Sequence, residues 1–179
     1  MRELLDKASG EGYGVVALNI INESTTRACI ETAEELRAPL ILDVGFLGRL
    51  LEGLAIRSTV PIAINLDHGN TYEQIMWALR AGFTFVMIDR STASFEDNIR
   101  DTSEIMKAAH AVCVSVEAKF GHVGDGCSYG TEECCYTDPT QATEFVKKTN
   151  VNCLAISVGT AHRVYAGISH IDYERIKEL

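Results

Sequence analysis

The sequence predicts an α/β fold in which an N-terminal helix is followed by six βα units. Short, nearly continuous runs of Val, Ile and Leu recur along the chain, and segments with helical periodicity separate them. Such runs are typical of strands that are buried on both faces of a parallel sheet. Polar residues also recur at the end of successive runs, as expected where the strands of an α/β protein approach a functional site.

The predicted strands are bounded by glycine, proline or polar residues. They are Val15–Ile21, Leu40–Val44, Val60–Leu66, Phe83–Ile88, Val112–Val116 and Cys153–Val158. Repeated βα units imply a parallel sheet with right-handed crossovers. Two architectures satisfy this pattern, an open doubly wound sheet and a (β/α)8 barrel. Six strands favour the open sheet, since a barrel needs eight strands and about 250 residues, and the residue pattern alone leaves both open.

The helical segments place apolar residues three and four positions apart. They are Ser24–Arg37, Phe46–Ile56, Tyr72–Ala81, Phe95–Ala111, Thr140–Lys148 and Tyr173–Leu179. Ser24 or Thr25 is expected to cap the first of these helices. Asp138-Pro139 predicts a helix start, because proline has the backbone angle required in the first turn.

Composition excludes several classes of function. The chain of 179 residues is 46% apolar and 23% charged, and its 16 basic and 25 acidic residues give a net charge of −9. An acidic chain without clustered Lys and Arg is not expected to bind nucleic acid or anionic lipid. No apolar run reaches the roughly 18 residues that span a membrane. The N-terminal segment does not have the pattern of a secretory signal.

Six cysteines are present, and their spacing matches no common zinc-binding pattern. We therefore interpret them as free thiols, which places the protein in a reducing cytoplasm. The segment from Cys127 to Cys135 is a weaker candidate for a metal site.

Polar residues at the strand ends are the candidate functional residues, because isolated charges are costly at such apolar borders unless they are paired or bound to a metal. They are Asn19, Asp43, Asp67, His68, Asp89, Glu117, Lys119 and His162. Their recurrence at one end of successive strands predicts a common face. Asp89 also has a simpler interpretation, as a cap for the next helix.

His68 and His162 stand apart from the other histidines because each follows a buried strand and lies beside small residues. Imidazole ligation with open positions suits Zn²⁺ or Co²⁺ acting as a Lewis acid on a carbonyl. Asp67, directly before His68, is placed to transfer a proton. His110 and His170 are interpreted as ordinary surface residues, and His122 lies in a loop whose role is open.

An ordered series of short segments resembles the class II, metal-dependent ketose-bisphosphate aldolases, the family of the fructose- and tagatose-bisphosphate aldolases. The segments are Gly14–Asn22, Leu66–Gly69, Ala81–Phe83, Val86–Asp89, Ser115–Ala118, Gly121–Gly124, Tyr136–Pro139, Gly159–His162 and Ile171–Arg175. The resemblance covers nearly the whole chain and favours the TIM-barrel architecture. It implies a single domain over residues 1–179, of which about six βα units are present and the last two strands are missing.

The resemblance also implies roles for individual residues. Asp67 is similar to the catalytic acid/base of the family, and His68 and His162 are similar to two of its three zinc ligands. Asp89 matches an acid that contributes to an alternative metal position. Asn19, Gly159 and Arg163 are expected to contact a phosphorylated sugar substrate.

Several features depart from the family pattern. The third zinc histidine lies in a later His-Gly-Gly-Ser-Gly segment that this sequence does not reach, and the phosphate-binding turn of the eighth strand is also beyond it. Lys119 replaces an acid of the alternative metal position, and an ammonium there repels a cation. Arg163 replaces a glycine and offers a positive charge to a substrate phosphate. Arg90 replaces a small residue after Asp89.

These observations lead to three hypotheses. The first is a zinc-dependent aldolase that cleaves fructose or tagatose 1,6-bisphosphate to dihydroxyacetone phosphate and glyceraldehyde 3-phosphate. The second is a catalytically impaired homologue with an assembly or ligand-sensing role, and the third is that the sequence is part of a longer active enzyme. A partial barrel has unpaired sheet edges, so we expect a homo-oligomer.

Overall fold

A computed structural model describes residues 2–45, 48–121, 136–160 and 171–179, with the side chains of residues 48–50 excepted. Helices and strands alternate over these residues, as the sequence predicts. The helices are α1 (Arg2–Glu11), α2 (Glu23–Leu36), α3 (Gly48–Ala55), α4 (Tyr72–Arg80), α5 (Phe95–His110), α6 (Pro139–Thr149) and α7 (Tyr173–Glu178). The strands are β1 (Ala17–Asn19), β2 (Leu40–Val44), β3 (Ile62–Gly69), β4 (Phe85–Ile88), β5 (Ser115–Phe120) and β6 (Cys153–Ile156).

The contact pattern divides the chain into two compact units. The first comprises Met1–Ile88 and Lys107–Val116, and the second comprises Asp89–Met106 and Glu117–Leu179. The single domain predicted over residues 1–179 stays a prediction.

In the first unit, strands β1 to β4 lie side by side in chain order, and each neighbouring pair is parallel. β2 and β4 are buried almost throughout, which explains their continuous apolar sequence. Helices α2, α3 and α4 pack against this sheet. Its core contains the fully buried side chains of Leu42, Leu51, Ile64, Ile75 and Val86.

In the second unit, β5 and β6 are parallel, with Glu117 paired with Cys153 and Phe120 paired with Ile156. The side chain of Phe145 on α6 is fully buried, and its ring stacks on Phe120 with the centroids 5.5 Å apart. Phe95 meets the ring of Phe120 edge-on, also at 5.5 Å. α5 and α6 therefore cover one face of β5.

Thr137 joins the ends of β5 and β6. Its buried hydroxyl donates to the carbonyl of Phe120 at 2.6 Å and accepts from the amide of Ser157 at 2.8 Å. The Thr137 amide in turn donates to the Ser157 carbonyl at 3.0 Å. One side chain thus satisfies two backbone groups that leave the strands and would otherwise be unpaired.

Several sequence-based strand boundaries were wrong, and the largest differences are in β3 and β5. β3 continues through Asp67 and His68 to Gly69, so these residues lie inside the strand and not after it. β5 begins at Ser115 and runs to Phe120, so it starts three residues and ends four residues later than predicted. Val112 is exposed and Cys113 has a φ of +59°, so the segment after α5 is a turn and not a strand.

Helix starts were predicted in part. Asp138 caps α6 by accepting from the amide of Gln141 at 2.8 Å, and Pro139 lies in the first turn, which confirms the predicted start. α2 is capped by Asn22, whose side chain accepts from the amide of Thr25 at 2.9 Å. The predicted cap at Ser24 or Thr25 was wrong, although Thr25 completes the capping box.

None of the helices in the described ranges is long and apolar enough to cross a membrane.

Candidate active site

β3 carries one extra residue at Asp67-His68. Leu66 pairs with Val86 and Gly69 pairs with Ile88, so three steps along β3 match two steps along β4. His68 has a φ of +52°, in the left-handed region that non-glycine residues seldom adopt. This irregularity is a β-bulge, a feature that often redirects side chains at functional sites.

The bulge brings the side chains of Asp67 and His68 together. Consecutive residues of a regular strand point to opposite faces, yet His68 Nε2 lies 3.7 Å from Asp67 Oδ1. Each side chain is about one-third exposed, at 34% for His68 and 33% for Asp67. The pair therefore presents a carboxylate and an imidazole to the same accessible space.

The backbone after the bulge is held by a short hydrogen-bond chain. The side-chain amide of Asn70 donates to the carbonyl of His68 at 2.9 Å. The backbone amide of Asn70 donates to Gln74 Oε1, on α4, at 3.0 Å. These bonds fix the direction in which the strand leaves His68.

Gly69 is required by close packing. A Cβ atom at this position would overlap the carbonyl oxygen of Met87 and would lie 2.7 Å from Cγ1 of Ile75. β4 and α4 therefore approach the bulge more closely than any residue with a side chain permits.

A row of polar residues crosses the first three strands at one level. Asn19 pairs with Asp43 and Asp43 pairs with Asn65 in the strand register. The buried Asn65 donates from Nδ2 to Asp43 Oδ1 at 2.8 Å. Asn65 Oδ1 is buried without a hydrogen-bond partner, and no other described side chain has such an atom.

Asp43 is electrostatically coupled to the bulge. Burial of its carboxyl is the main cause that raises the pKa of Asp43, and the hydrogen bond from Asn65 opposes this effect. The charge of Asp67 raises the pKa further and that of His68 lowers it. Asp43, Asn65, Asp67 and His68 thus form one polar cluster in the first unit.

Asn65 is a buried polar residue that the sequence pattern does not predict as part of the site. It was read as part of an apolar strand, since Ile62–Leu66 is otherwise uninterrupted. The available signal was the asparagine itself, because a buried amide in such a run needs a partner.

In the second unit, Asp89 is bound on both carboxylate oxygens. Oδ1 accepts from the amide and the hydroxyl of Ser91, at 3.1 and 2.7 Å. Oδ2 accepts from Nζ of Lys119 at 3.2 Å. Lys119 and Asp89 are both largely buried, with side-chain exposures of 6% and 13%. Asp89 does not cap α5, since the amide of Asp97 donates to the hydroxyl of Ser94.

The remaining predicted site residues are placed as follows. Asn19 is exposed at the end of β1. Gly159 follows β6 with a φ of +99°, a conformation that favours glycine. His162, Arg163 and the loop histidine His122 lie outside the described residues.

The side chains at the bulge in β3 provide some of the donor atoms that a metal-binding site requires. His68 is accessible and lies beside a carboxylate, an environment in which an imidazole can bind a metal. No group of three or more His, Cys, Asp or Glu side chains that could hold a metal occurs within the described ranges. Asp89 fits a metal poorly, because its oxygens already accept three hydrogen bonds and its nearest cation is an ammonium.

The family model, two curated relatives and a solved structure that match this chain all carry the name of an aldolase. The family model described as "Fructose-bisphosphate aldolase class-II" matches residues 1–179. A fructose-bisphosphate aldolase from Thermus caldophilus is 39% identical over 99% of this chain and 63% of its own length. Another, from Geobacillus stearothermophilus, is also 39% identical, over the whole chain and 68% of its own length.

The solved structures agree with the sequence comparisons. The YdjI aldolase from Escherichia coli K12 superposes with a TM-score of 0.88 at 30% identity, over 99% of this chain and 66% of that chain. This likeness confirms the predicted α/β fold of the TIM-barrel type. The chain spans about two thirds of the length of these relatives, from 63% to 68%. With a family model that matches from the first residue to the last, the chain belongs to the class II fructose-bisphosphate aldolase family.

Proposed function

We propose that this chain carries the proton-transfer and part of the metal-binding machinery of a class II aldolase. The reaction is the reversible cleavage of a ketose 1,6-bisphosphate, fructose or tagatose, to dihydroxyacetone phosphate and glyceraldehyde 3-phosphate. The observation that carries this proposal is the bulge in β3, which turns Asp67 and His68 to the same side.

Asp67 is the proposed proton carrier. Cleavage of a carbon–carbon bond next to a hydroxyl-bearing carbon requires that the hydroxyl lose its proton, and synthesis requires its return. The carboxylate of Asp67 is accessible and is held beside an imidazole, so it is placed to accept and return this proton.

His68 and His162 are the proposed protein ligands of a divalent metal, zinc by resemblance. When bound, the metal supplies a Lewis acid that polarises the substrate carbonyl. The left-handed backbone of His68 supports this role, because it lies within a strand and not at a helix end as at Arg37 and Asn150, and residues strained in this way cluster at active sites. Asn19, Gly159 and Arg163 remain the proposed contacts to the phosphorylated sugar.

Two variants of the bulge and two surface controls test the proposal. Asp67→Asn keeps the shape of the side chain but removes the base, so we expect at least a 100-fold loss of cleavage rate with metal binding retained. His68→Ala is expected to weaken zinc binding at least tenfold, measured by competition with a chelating dye. Asp6→Asn, on the exposed side of α1, and His110→Ala, exposed at the end of α5, are the controls.

Three outcomes decide the proposal. Cleavage that is lost in Asp67→Asn and requires metal supports it. Full activity of Asp67→Asn would contradict the role of the carboxylate. A chain that binds zinc through His68 without cleaving either bisphosphate would instead support the non-catalytic homologue with a ligand-sensing role.

Assembly as a homo-oligomer and a cytoplasmic location complete the proposal. Sedimentation velocity tests the first, and a single monomeric species over the micromolar range would contradict it.

A further inference from the structure

Lys119 is a buried cation with one side-chain partner in the part of the chain that the structure describes. Its residue is 5% exposed, and Nζ donates to Asp89 Oδ2 at 3.2 Å. An ammonium has three N–H donors, and Asp89 is its only side-chain acceptor among the residues that the structure describes. A buried donor without an acceptor is costly, so the remaining N–H groups favour a further oxygen ligand.

The strand register places this ammonium on the face of β5 that α5 and α6 do not cover. Phe120 packs against Phe95 and Phe145 on the helix side. Because side chains alternate along a strand, Lys119 points to the opposite face. Its register partner on β6 is Ala155, which has a small side chain.

Both the backbone and the head group of Lys119 are held in place. The buried side chain of Asn98, on α5, donates to the Lys119 carbonyl at 3.0 Å and accepts from the hydroxyl of Thr102 at 3.1 Å. Asp89 is itself held by Ser91, which donates twice to Oδ1. The position of the ammonium is therefore fixed before any ligand arrives, an arrangement that reduces the entropic cost of binding.

This geometry disfavours a metal ion at Asp89 and favours an anion beside Lys119. A divalent cation at Asp89 would have to displace both the ammonium and the hydrogen bonds from Ser91, and it would be repelled by Lys119 at short range. An anionic oxygen instead meets a desolvated ammonium, where charge-assisted hydrogen bonds are strong.

We propose that Lys119 is a substrate-binding residue that binds an anionic oxygen of a phosphorylated ligand, and that Asp89 is its positioning residue and not a metal ligand. The identity of the ligand as a sugar phosphate rests on the proposed function. The positively charged side chain of Lys119 then takes the place of the metal ion that the family resemblance implies at the alternative metal position.

Equilibrium binding of inorganic phosphate and of dihydroxyacetone phosphate to the zinc-loaded chain tests the proposal without requiring turnover. By calorimetry, Lys119→Met should bind both at least tenfold more weakly than the unmodified chain, whereas Lys119→Arg should stay within a few-fold. Lys147→Met, an exposed lysine on α6, is the matched control and should bind as the unmodified chain does. Equal affinity in Lys119→Met would overturn the proposal.

A second measurement needs no variant and covers the case in which Lys119→Met does not fold. In the unmodified chain labelled with ¹⁵N-lysine, inorganic phosphate should shift the Nζ resonance of Lys119 and leave that of Lys147 unchanged. A Lys119 Nζ resonance that phosphate does not shift would also overturn the proposal.

Metal stoichiometry separates this inference from the proposed function. Asp89→Asn keeps an oxygen for Ser91 and should retain the full amount of bound zinc, whereas His68→Ala should lose it. Loss of zinc in Asp89→Asn would make Asp89 a ligand and would overturn the inference. If cleavage is absent but phosphate binding depends on Lys119, the proposed function fails and this inference stands.

Discussion

The imidazole of His68 lies 3.7 Å from the carboxylate of Asp67, although the two residues are consecutive in a β-strand. A regular strand would send them to opposite faces of the sheet. They meet only because β3 has one residue more than β4 between two paired positions. The chemical pair is thus a product of backbone geometry as much as of residue type.

Substitution of Gly69 tests how tightly the bulge is packed. Gly69→Ala places a methyl group against the Met87 carbonyl and 2.7 Å from Ile75 Cγ1. We expect a loss of about 1–3 kcal/mol in the free energy of unfolding, the usual cost of overpacking. Urea denaturation measures it. Gly53→Ala is the matched control, because a Cβ there meets nothing within 4 Å and the helix should gain about 0.5–1 kcal/mol.

The strain at His68 predicts an unusual order of stability. His68→Gly should be more stable than His68→Ala by about 1 kcal/mol, because only glycine adopts the left-handed conformation without steric cost. At the exposed Glu35, within α2, the order should be reversed, since alanine favours a helix. Thermal or urea unfolding of the four metal-free variants provides the comparison. An alanine variant at position 68 as stable as the glycine variant would show that the backbone there is relaxed.

The raised pKa of Asp43 predicts a dependence of stability on pH. Because burial makes the folded chain bind this proton more tightly than the unfolded chain, ionisation favours unfolding. The protonated Asp43 carboxyl contributes to the stability of the folded chain. This contribution is fully present below the ordinary carboxyl pKa of 3.8 and is lost as the pH rises through the higher pKa of the folded chain.

Asp43→Asn removes this titration and keeps an oxygen for the Asn65 amide. Relative to the unmodified chain, the variant should gain stability between pH 4 and pH 7, measured by urea denaturation with a chelator present. Glu178→Gln, exposed near the end of α7, serves as the control. A stability difference that does not vary with pH would contradict the assignment.

Substitution of Thr137 by valine should lower the free energy of unfolding because the hydroxyl is lost, and not because the volume of the side chain changes. Thr137→Val leaves the Phe120 carbonyl and the Ser157 amide without the partner that the hydroxyl provides. Each buried group left unpaired costs about 1–3 kcal/mol. Thr137→Ser keeps the hydroxyl and should recover most of the loss. Faster amide exchange at Ser157 in the valine variant alone would identify the affected bond.

Local sequence patterns predicted the regular elements well. β2 was predicted with its observed bounds, because a short run of apolar residues interrupted only by Asp43 lies between Pro39 and Gly45. The start of α6 followed from Asp138-Pro139. β5 was misplaced because Val112 and Val114 look like strand residues, whereas the left-handed turn at Cys113 is not visible in the residue types.

The sequence predicted which residues form part of the site but not how their side chains are arranged. Asp67 and His68 were identified by residue type and position, while the bulge that unites them depends on pairing with β4. The bond between Lys119 and Asp89 joins residues 30 positions apart. Such contacts depend on tertiary register, which no local pattern encodes, and the amide of Asn65 was hidden for the same reason.

The extra residue in β3 also limits how this family segment can change in evolution. Point substitutions at Asp67 or His68 alter one functional group and leave the other in place. Deletion of a single residue between Leu66 and Gly69 would remove Asp67 or His68 and restore the regular pleat, so the remaining side chain would also lose the backbone that orients it. Selection on this segment therefore acts on the number of residues as well as on their identity, and gaps should be tolerated less there than replacements.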